Sequence, residues 1–110
     1  MNYLGIDVHA AASVWCLLDP QGQQIDSGKV ATTSQDLMRL VERLSARDEI
    51  LVGQEVGGMT YLVHDAVTDA GARVLSFNAH HLRMIASSRK KTDRRDAYWI
   101  AKALQSGMMP

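Results

Sequence analysis

Two short apolar runs in this chain share one plan: each holds a glycine and, two residues later, an acid. The first run contains Gly5 and Asp7, and the second contains Gly53 and Glu55. Such runs are typical of strands buried on both faces of a sheet, where an unpaired carboxylate is costly. Residues two apart share a strand face, so Gly5 is expected to leave open space beside Asp7. His9 is on the same predicted face, where we expect it to hydrogen-bond rather than bind a metal.

The periodicity of the remaining sequence predicts five strands and three helices. In chain order we expect strands over 3–9, 13–18 and 24–31, a helix through 45, a strand over 49–55, a helix over 59–69, a strand over 73–77 and a last helix from 92 or 93 to 107. A short helix is one interpretation of residues 78–88. An opening hairpin followed by crossovers fits an α/β, ribonuclease-H-like fold, a mixed five-stranded sheet (β-β-β-α-β-α-β-α) with helices on its faces.

A second pair of acids lies in a basic stretch near the end of the sequence. Asp93 and Asp96 are three residues apart, so on a helix their carboxylates share one face. At about 4 Å and an effective dielectric near 20 they repel by roughly 4 kcal/mol, which a divalent cation or a proton would relieve. Taken alone, this spacing more often marks a solvated helix face with salt bridges.

The predicted fold changes that balance, because its first strand is central, its fourth strand is parallel to the first, and its last helix crosses both. The four acids could then converge and hold one or two Mg²⁺ ions in a two-metal centre. The candidate tetrad is Asp7, Glu55, Asp93 and Asp96.

Composition excludes few classes, but the distribution of charge is informative. The 110 residues have equal numbers of basic and acidic side chains, and six of the basic ones lie between Arg83 and Arg95. Such a stretch beside metal-binding acids predicts phosphate contacts. The candidate nucleic-acid-binding residues are Arg89, Lys90, Lys91, Arg94 and Arg95. A single cysteine, Cys16, and no apolar run of membrane-spanning length predict a cytoplasmic protein without a membrane partner.

Three motifs in register carry a resemblance to a known family. They are Gly5-Ile-Asp-Val-His9, Glu55-Val-Gly-Gly58 followed by Tyr61, and Lys91-Thr-Asp-Arg-Arg-Asp-Ala97, with Asn78 after the fifth strand. Along nearly its whole length, the sequence resembles the N-terminal, RuvC-like DEDD domain of insertion-sequence-110-family transposases, relatives of the Piv-type DNA invertases. The family usually has Lys, Thr and Pro where this chain has Ala10, Gly57 and Ala79. None of these departures touches the four acids.

The resemblance implies a transposase that cleaves and transfers DNA strands at the acidic tetrad with Mg²⁺ or Mn²⁺. It also implies DNA as substrate, a structured guide RNA and a homo-oligomer in the full-length protein. Family members continue into a second domain that carries a nucleophilic serine. We therefore expect residues 1–110 to be a single RuvC-like DEDD domain that lacks the serine-bearing domain and has little activity alone.

Two alternatives stay open at this point. The chain could be a non-catalytic, nucleic-acid-binding or dimerisation fragment of a truncated transposase. It could also be half of an actin-type or sugar-kinase ATPase, because a strand with Gly5 and Asp7 before a hairpin opens that fold too. Those ATPases need a glycine-rich turn that cradles phosphate, and residues 8–13 contain no glycine.

Overall fold

The computed structural model describes residues 1–78 and 96–107, which build a mixed sheet between two layers of helix. The strands are β1 (Asn2–Asp7), β2 (Ala12–Leu18), β3 (Gln24–Ala31), β4 (Ile50–Glu55) and β5 (Arg73–Phe77), and the helices are α1 (Ser34–Ser45), α2 (Thr60–Asp69) and α3 (Asp96–Gln105). The strands lie in the order β3-β2-β1-β4-β5. β1, β2 and β3 are antiparallel neighbours, whereas β1, β4 and β5 run parallel. The predicted fold class and the central position of the first strand are confirmed.

Most predicted boundaries agree with the structure to within one residue. The first strand is an exception, because β1 ends at Asp7 and not at His9. Beyond Asp7 the backbone leaves the sheet, and the carbonyl of His9 accepts a hydrogen bond from the Thr32 hydroxyl at 2.5 Å. The start of the last helix at 92 or 93 and the short helix within 78–88 fall outside the described residues.

Local chemistry explains where the strands and helices begin and end. Between β2 and β3, the carboxylate of Asp19 accepts the backbone N–H groups of Gln21 and Gln23, both at 2.9 Å, and Gly22 has a φ of 84°. The side chain of Thr33 caps α1 by accepting the N–H of Asp36 at 3.1 Å. These are the expected uses of turn and cap residues.

The sheet has a hydrophobic layer on each face. On one face, α1 and α2 bury their leucines and valines against β1, β2 and β4, and Trp15 is 4% exposed there. On the other face, Ala97 and Ala101 of α3 pack against Cys16 and Leu18 of β2. Trp15 is therefore in the core, whereas Trp99 is only partly buried. Within the described residues, no helix is long and apolar enough to cross a membrane.

The helix α3 crosses the sheet over the two glycines that precede the strand acids. A Cβ atom on Gly5 would collide with the carbonyl oxygen of Ala97 and lie 2.5 Å from the backbone nitrogen of Ala101. A Cβ atom on Gly53 would lie 2.7 Å from the side chain of Leu104. The prediction that Gly5 leaves open space beside Asp7 is wrong, because the helix backbone occupies that space. Both glycines are needed for close contact between helix and sheet.

This contact predicts a graded stability series. We expect Gly5→Ala to lower the free energy of unfolding by about 1–3 kcal/mol, because the added methyl group meets backbone atoms that cannot rotate away. Gly53→Ala should cost less, since it meets the flexible end of Leu104. Gly58 has nothing within 4 Å of the added Cβ, so Gly58→Ala is the matched control and should change stability by less than about 0.5 kcal/mol. Urea denaturation measures all three, and equal stability of the Gly5 and Gly58 variants would contradict the packing of α3.

Candidate metal centre

Two of the predicted acids end adjacent parallel strands at the centre of the sheet. The parallel register pairs Ile6 of β1 with Gln54 of β4, so the next residues along each strand are Asp7 and Glu55. Both strands end at these acids. Because the carboxyl ends of parallel strands lie at the same edge of a sheet, the two side chains emerge side by side.

A small cavity opens between these two strand ends. It has a volume of about 110 Å³, and Asp7 and Glu55 both line it together with the loop over residues 56–60. This volume exceeds the roughly 10–15 Å³ that one ordered water needs, so a cation with several waters fits. Carboxylate oxygens are the ligands that Mg²⁺ prefers in proteins.

Asp7 is held by a contact with His9. The ring nitrogen Nε2 of His9 lies 3.0 Å from Oδ2 of Asp7, and the side chains are 63% and 21% exposed respectively. The contact agrees with the expectation that His9 hydrogen-bonds near Asp7, but the histidine is exposed and lies beyond the strand. Such a partner fixes the orientation of a carboxylate.

A buried hydroxyl network positions the chain just after Asp7. The hydroxyl oxygens of Ser13 and Thr32 are 2.7 Å apart, Thr32 donates to the carbonyl of His9, and the N–H of His9 donates to Ser13 at 3.3 Å. Ser13 is fully buried and Thr32 is 7% exposed. The sequence alone does not indicate this role of Thr32, because the residue that it contacts is 23 positions away in the chain.

A second network positions the chain after Glu55. The amide nitrogen of Gln54, a fully buried residue, donates to the carbonyl of Thr60 at 3.1 Å and to the hydroxyl of Ser76 at 3.0 Å. The hydroxyl of Thr60 in turn bridges the N–H and C=O of Gly57, both at 2.7 Å. The sequence analysis did not predict this role of Gln54. A polar residue inside an apolar strand could have indicated it, because a buried polar group needs hydrogen-bond partners.

Of the last two acids, Asp96 is among the residues that the structure describes. Asp96 begins α3, and the residue after it, Ala97, packs against Gly5. Asp96 is therefore on α3, the helix that crosses β1 at Gly5. This crossing point is two residues before Asp7 in the strand. Asp93 and the predicted phosphate contacts at 89–91 and 94–95 fall outside the described residues. In residues 1–78 and 96–107, no group of three or more His, Cys, Asp or Glu side chains is arranged to hold a metal ion.

The fold, with acids at the ends of its two central parallel strands, defines the class of RuvC-like domains. The chain matches Thermus thermophilus RuvC in complex with a Holliday junction substrate at a TM-score of 0.70 and 15% identity, over 98% of this chain and 96% of that one. It matches fowlpox virus resolvase in complex with Holliday junction DNA at a TM-score of 0.60 and 11% identity, over the whole of both chains.

The sequence places the chain more narrowly within that class. A family model of insertion-sequence-110 DEDD proteins, described as transposase, matches residues 4–109. The chain therefore belongs to this transposase family, and the predicted resemblance is confirmed. Family and fold together support DNA recombination or cleavage as the general activity.

The fold is also similar to part of sugar kinases, but the chain covers less than half of the compared protein. The chain matches the inorganic polyphosphate/ATP-glucomannokinase from Arthrobacter at a TM-score of 0.54 and 18% identity, over 80% of this chain and 48% of that one. The family match over residues 4–109 favours the transposase interpretation. None of the curated protein sequences is a significant match.

The hydroxyl network beside Asp7 gives a second testable prediction. Thr32→Val keeps the shape of the side chain but removes the hydroxyl, leaving the carbonyl of His9 and the buried hydroxyl of Ser13 each with one partner fewer. We expect it to lower the free energy of unfolding by about 1–3 kcal/mol. Thr32→Ser retains the hydroxyl and should lose less than half as much. Guanidinium denaturation of the two variants tests this. A loss in Thr32→Ser as large as that in Thr32→Val would mean that the methyl group contributes as much as the hydrogen bonds.

Proposed function

We propose that this chain is the catalytic DEDD domain of a DNA-recombining transposase, which cleaves and transfers DNA strands with the help of Mg²⁺ or Mn²⁺. One observation carries the proposal: Asp7 and Glu55 end adjacent central strands and line one cavity, in a chain of the transposase family. Family and fold support DNA recombination or cleavage in general. The metal and the roles of the individual residues are part of the proposal.

In this proposal the metal ligands and catalytic acids are Asp7, Glu55, Asp93 and Asp96. The donor set suits one or two divalent cations, because all four groups offer carboxylate oxygens. Such ions supply Lewis-acid activation of an attacking hydroxyl and stabilisation of a leaving oxygen on a phosphodiester. The protein supplies the negative charge and its placement: Asp7 is oriented by His9, and Glu55 follows Gln54, whose side chain is fixed by Thr60 and Ser76.

The remaining partners follow from family membership and from the basic stretch. We propose that Arg89, Lys90, Lys91, Arg94 and Arg95 contact phosphates of DNA or of a structured guide RNA, giving affinity without reading sequence. The domain would act with a serine-bearing domain that lies outside these 110 residues, in a cytoplasmic homo-oligomer. Support for a DNA partner comes from the family, and the two RuvC-like structures above were solved with junction DNA.

A cation titration tests the metal site without requiring catalysis. We expect MgCl₂ or MnCl₂ to raise the free energy of unfolding of the wild-type chain, by about 1.4 kcal/mol at ten times the dissociation constant, because only the folded chain binds the ion. Asp7→Asn and Glu55→Gln should each remove most of this gain while preserving side-chain size. Thermal unfolding with and without cation measures it, alongside isothermal titration calorimetry.

Asp69→Asn is the matched control, since Asp69 is an exposed carboxylate at the end of α2. This variant should keep the full cation response. If the cation stabilises the wild type and the Asp7 and Glu55 variants equally, these acids do not bind the metal. The alternative of a non-catalytic nucleic-acid-binding fragment then becomes the better description.

A further inference from the structure

A groove leads away from Asp7 along the opposite side from Glu55. It has a volume of about 560 Å³ and lies between the start of α3 and the exposed face of β3. We call it the side groove; it is lined by Asp7, Val14, Cys16, Ser27, Lys29 and Tyr98, among others. The volume is within the range of about 300–1,000 Å³ that is usual for ligand sites.

The side groove exists because α3 covers only part of the sheet. The helix packs on β1, β2 and β4, while on β3 the residues that share this face, such as Ser27 and Lys29, are exposed. The apolar floor and wall are formed by Val14 and Cys16 of β2 and by the half-buried ring of Tyr98, which packs on the same cluster. Burial raises the pKa of the Cys16 thiol to about 11, so the floor is uncharged at neutral pH.

Strand register places the positively charged side chain of Lys29 in the same row of the sheet as Asp7. Asp7 pairs with Val14, and Val14 pairs with Lys29, so all three lie in one row across the sheet and on one face. Two strand spacings separate the backbones of Asp7 and Lys29, which is about 10 Å. Among the described residues, no acid forms an ion pair with Lys29. Its ammonium is thus available to an anion that occupies the groove.

The combination of an apolar wall and a cation suits one class of ligand. Single-stranded nucleic acid binds where aromatic or apolar side chains meet the bases and cations meet the backbone. In the described part of the chain, the groove is bounded by α3 on one side and reaches the exposed face of β3 on the other, which suits a single strand whose bases are accessible. Its continuity with Asp7 means that a strand in the groove would lead directly to the proposed cleavage site.

We propose that the side groove binds an unpaired stretch of the substrate DNA strand next to the phosphodiester that is cut. A phosphate is neutralised by Lys29, and a base or sugar packs against Val14 and Tyr98. The identity of the strand as substrate rests on the proposed function, whereas binding of single-stranded DNA by the groove does not. Lys29 is here a substrate-binding residue and takes no part in the chemistry.

The test measures binding of fluorescein-labelled oligodeoxythymidine by anisotropy, using the whole chain, with and without Mg²⁺ and over a range of salt concentrations. We expect Lys29→Gln to weaken binding about fivefold at low salt and to reduce the slope of log affinity against log salt by about 0.7, the value for one phosphate contact on a single strand. Ser27→Glu, which places a negative charge in the groove, should weaken binding at least as much. Both positions are exposed, and thermal unfolding confirms that the variants fold.

Arg73→Gln removes one positive charge from β5, at the far edge of the sheet, and should leave affinity and slope unchanged. A labelled duplex should show little dependence on Lys29. The proposal is overturned if Lys29→Gln binds single-stranded DNA like the wild type, or if the effect appears with oligouridine RNA but not with DNA, which would assign the groove to a guide RNA. If Lys29→Gln binds DNA more weakly but is stabilised by Mg²⁺ as much as the wild type, the groove and the metal site act separately.

Discussion

The structure depends on one close contact, the crossing of α3 over β1 without an intervening side chain. The carbonyl of Ala97 and the backbone of Ala101 lie where a Cβ atom of Gly5 would be, so a glycine on the strand faces two alanines on the helix. A side chain at Gly5 would therefore collide with the helix backbone. Because Asp96 precedes Ala97 directly, the distance of this acid from Asp7 is governed by the same contact.

This contact also explains which parts of the fold the sequence could predict. The strands and helices were recognisable because each leaves a local pattern, and the bounds of β3 and β5 agree with the predictions to the residue. The role of Gly5 could not be read in the same way. A glycine beside an acid on a strand is compatible with open space or with a close neighbour, and only the path of a helix more than ninety residues away distinguishes them.

Some residues of the candidate site could likewise be predicted from local sequence patterns, and others could not. Asp7 and Glu55 were predictable because an acid in an apolar run is a local anomaly. The groups that hold the adjoining loops were not, since Thr32 reaches His9 and Gln54 reaches Ser76 across 23 and 22 positions respectively. These contacts form between elements whose spatial neighbours are set by strand order. A single sequence shows that such residues are polar, but it does not show which backbone group each one satisfies.

The reason for regarding Asp7 as functional also changes with the structure. The sequence interpretation relied on the cost of burying a carboxylate within a strand, yet Asp7 ends the strand and its side chain is 21% exposed. A partly solvated carboxylate with a histidine partner costs little folding free energy. Its burial alone therefore does not indicate a function. The stronger argument is the parallel pairing of β1 and β4, which places two carboxylates at one cavity. A sheet that only needed stability would gain nothing from collecting like charges there. The proposed cation would offset this repulsion between the two carboxylates.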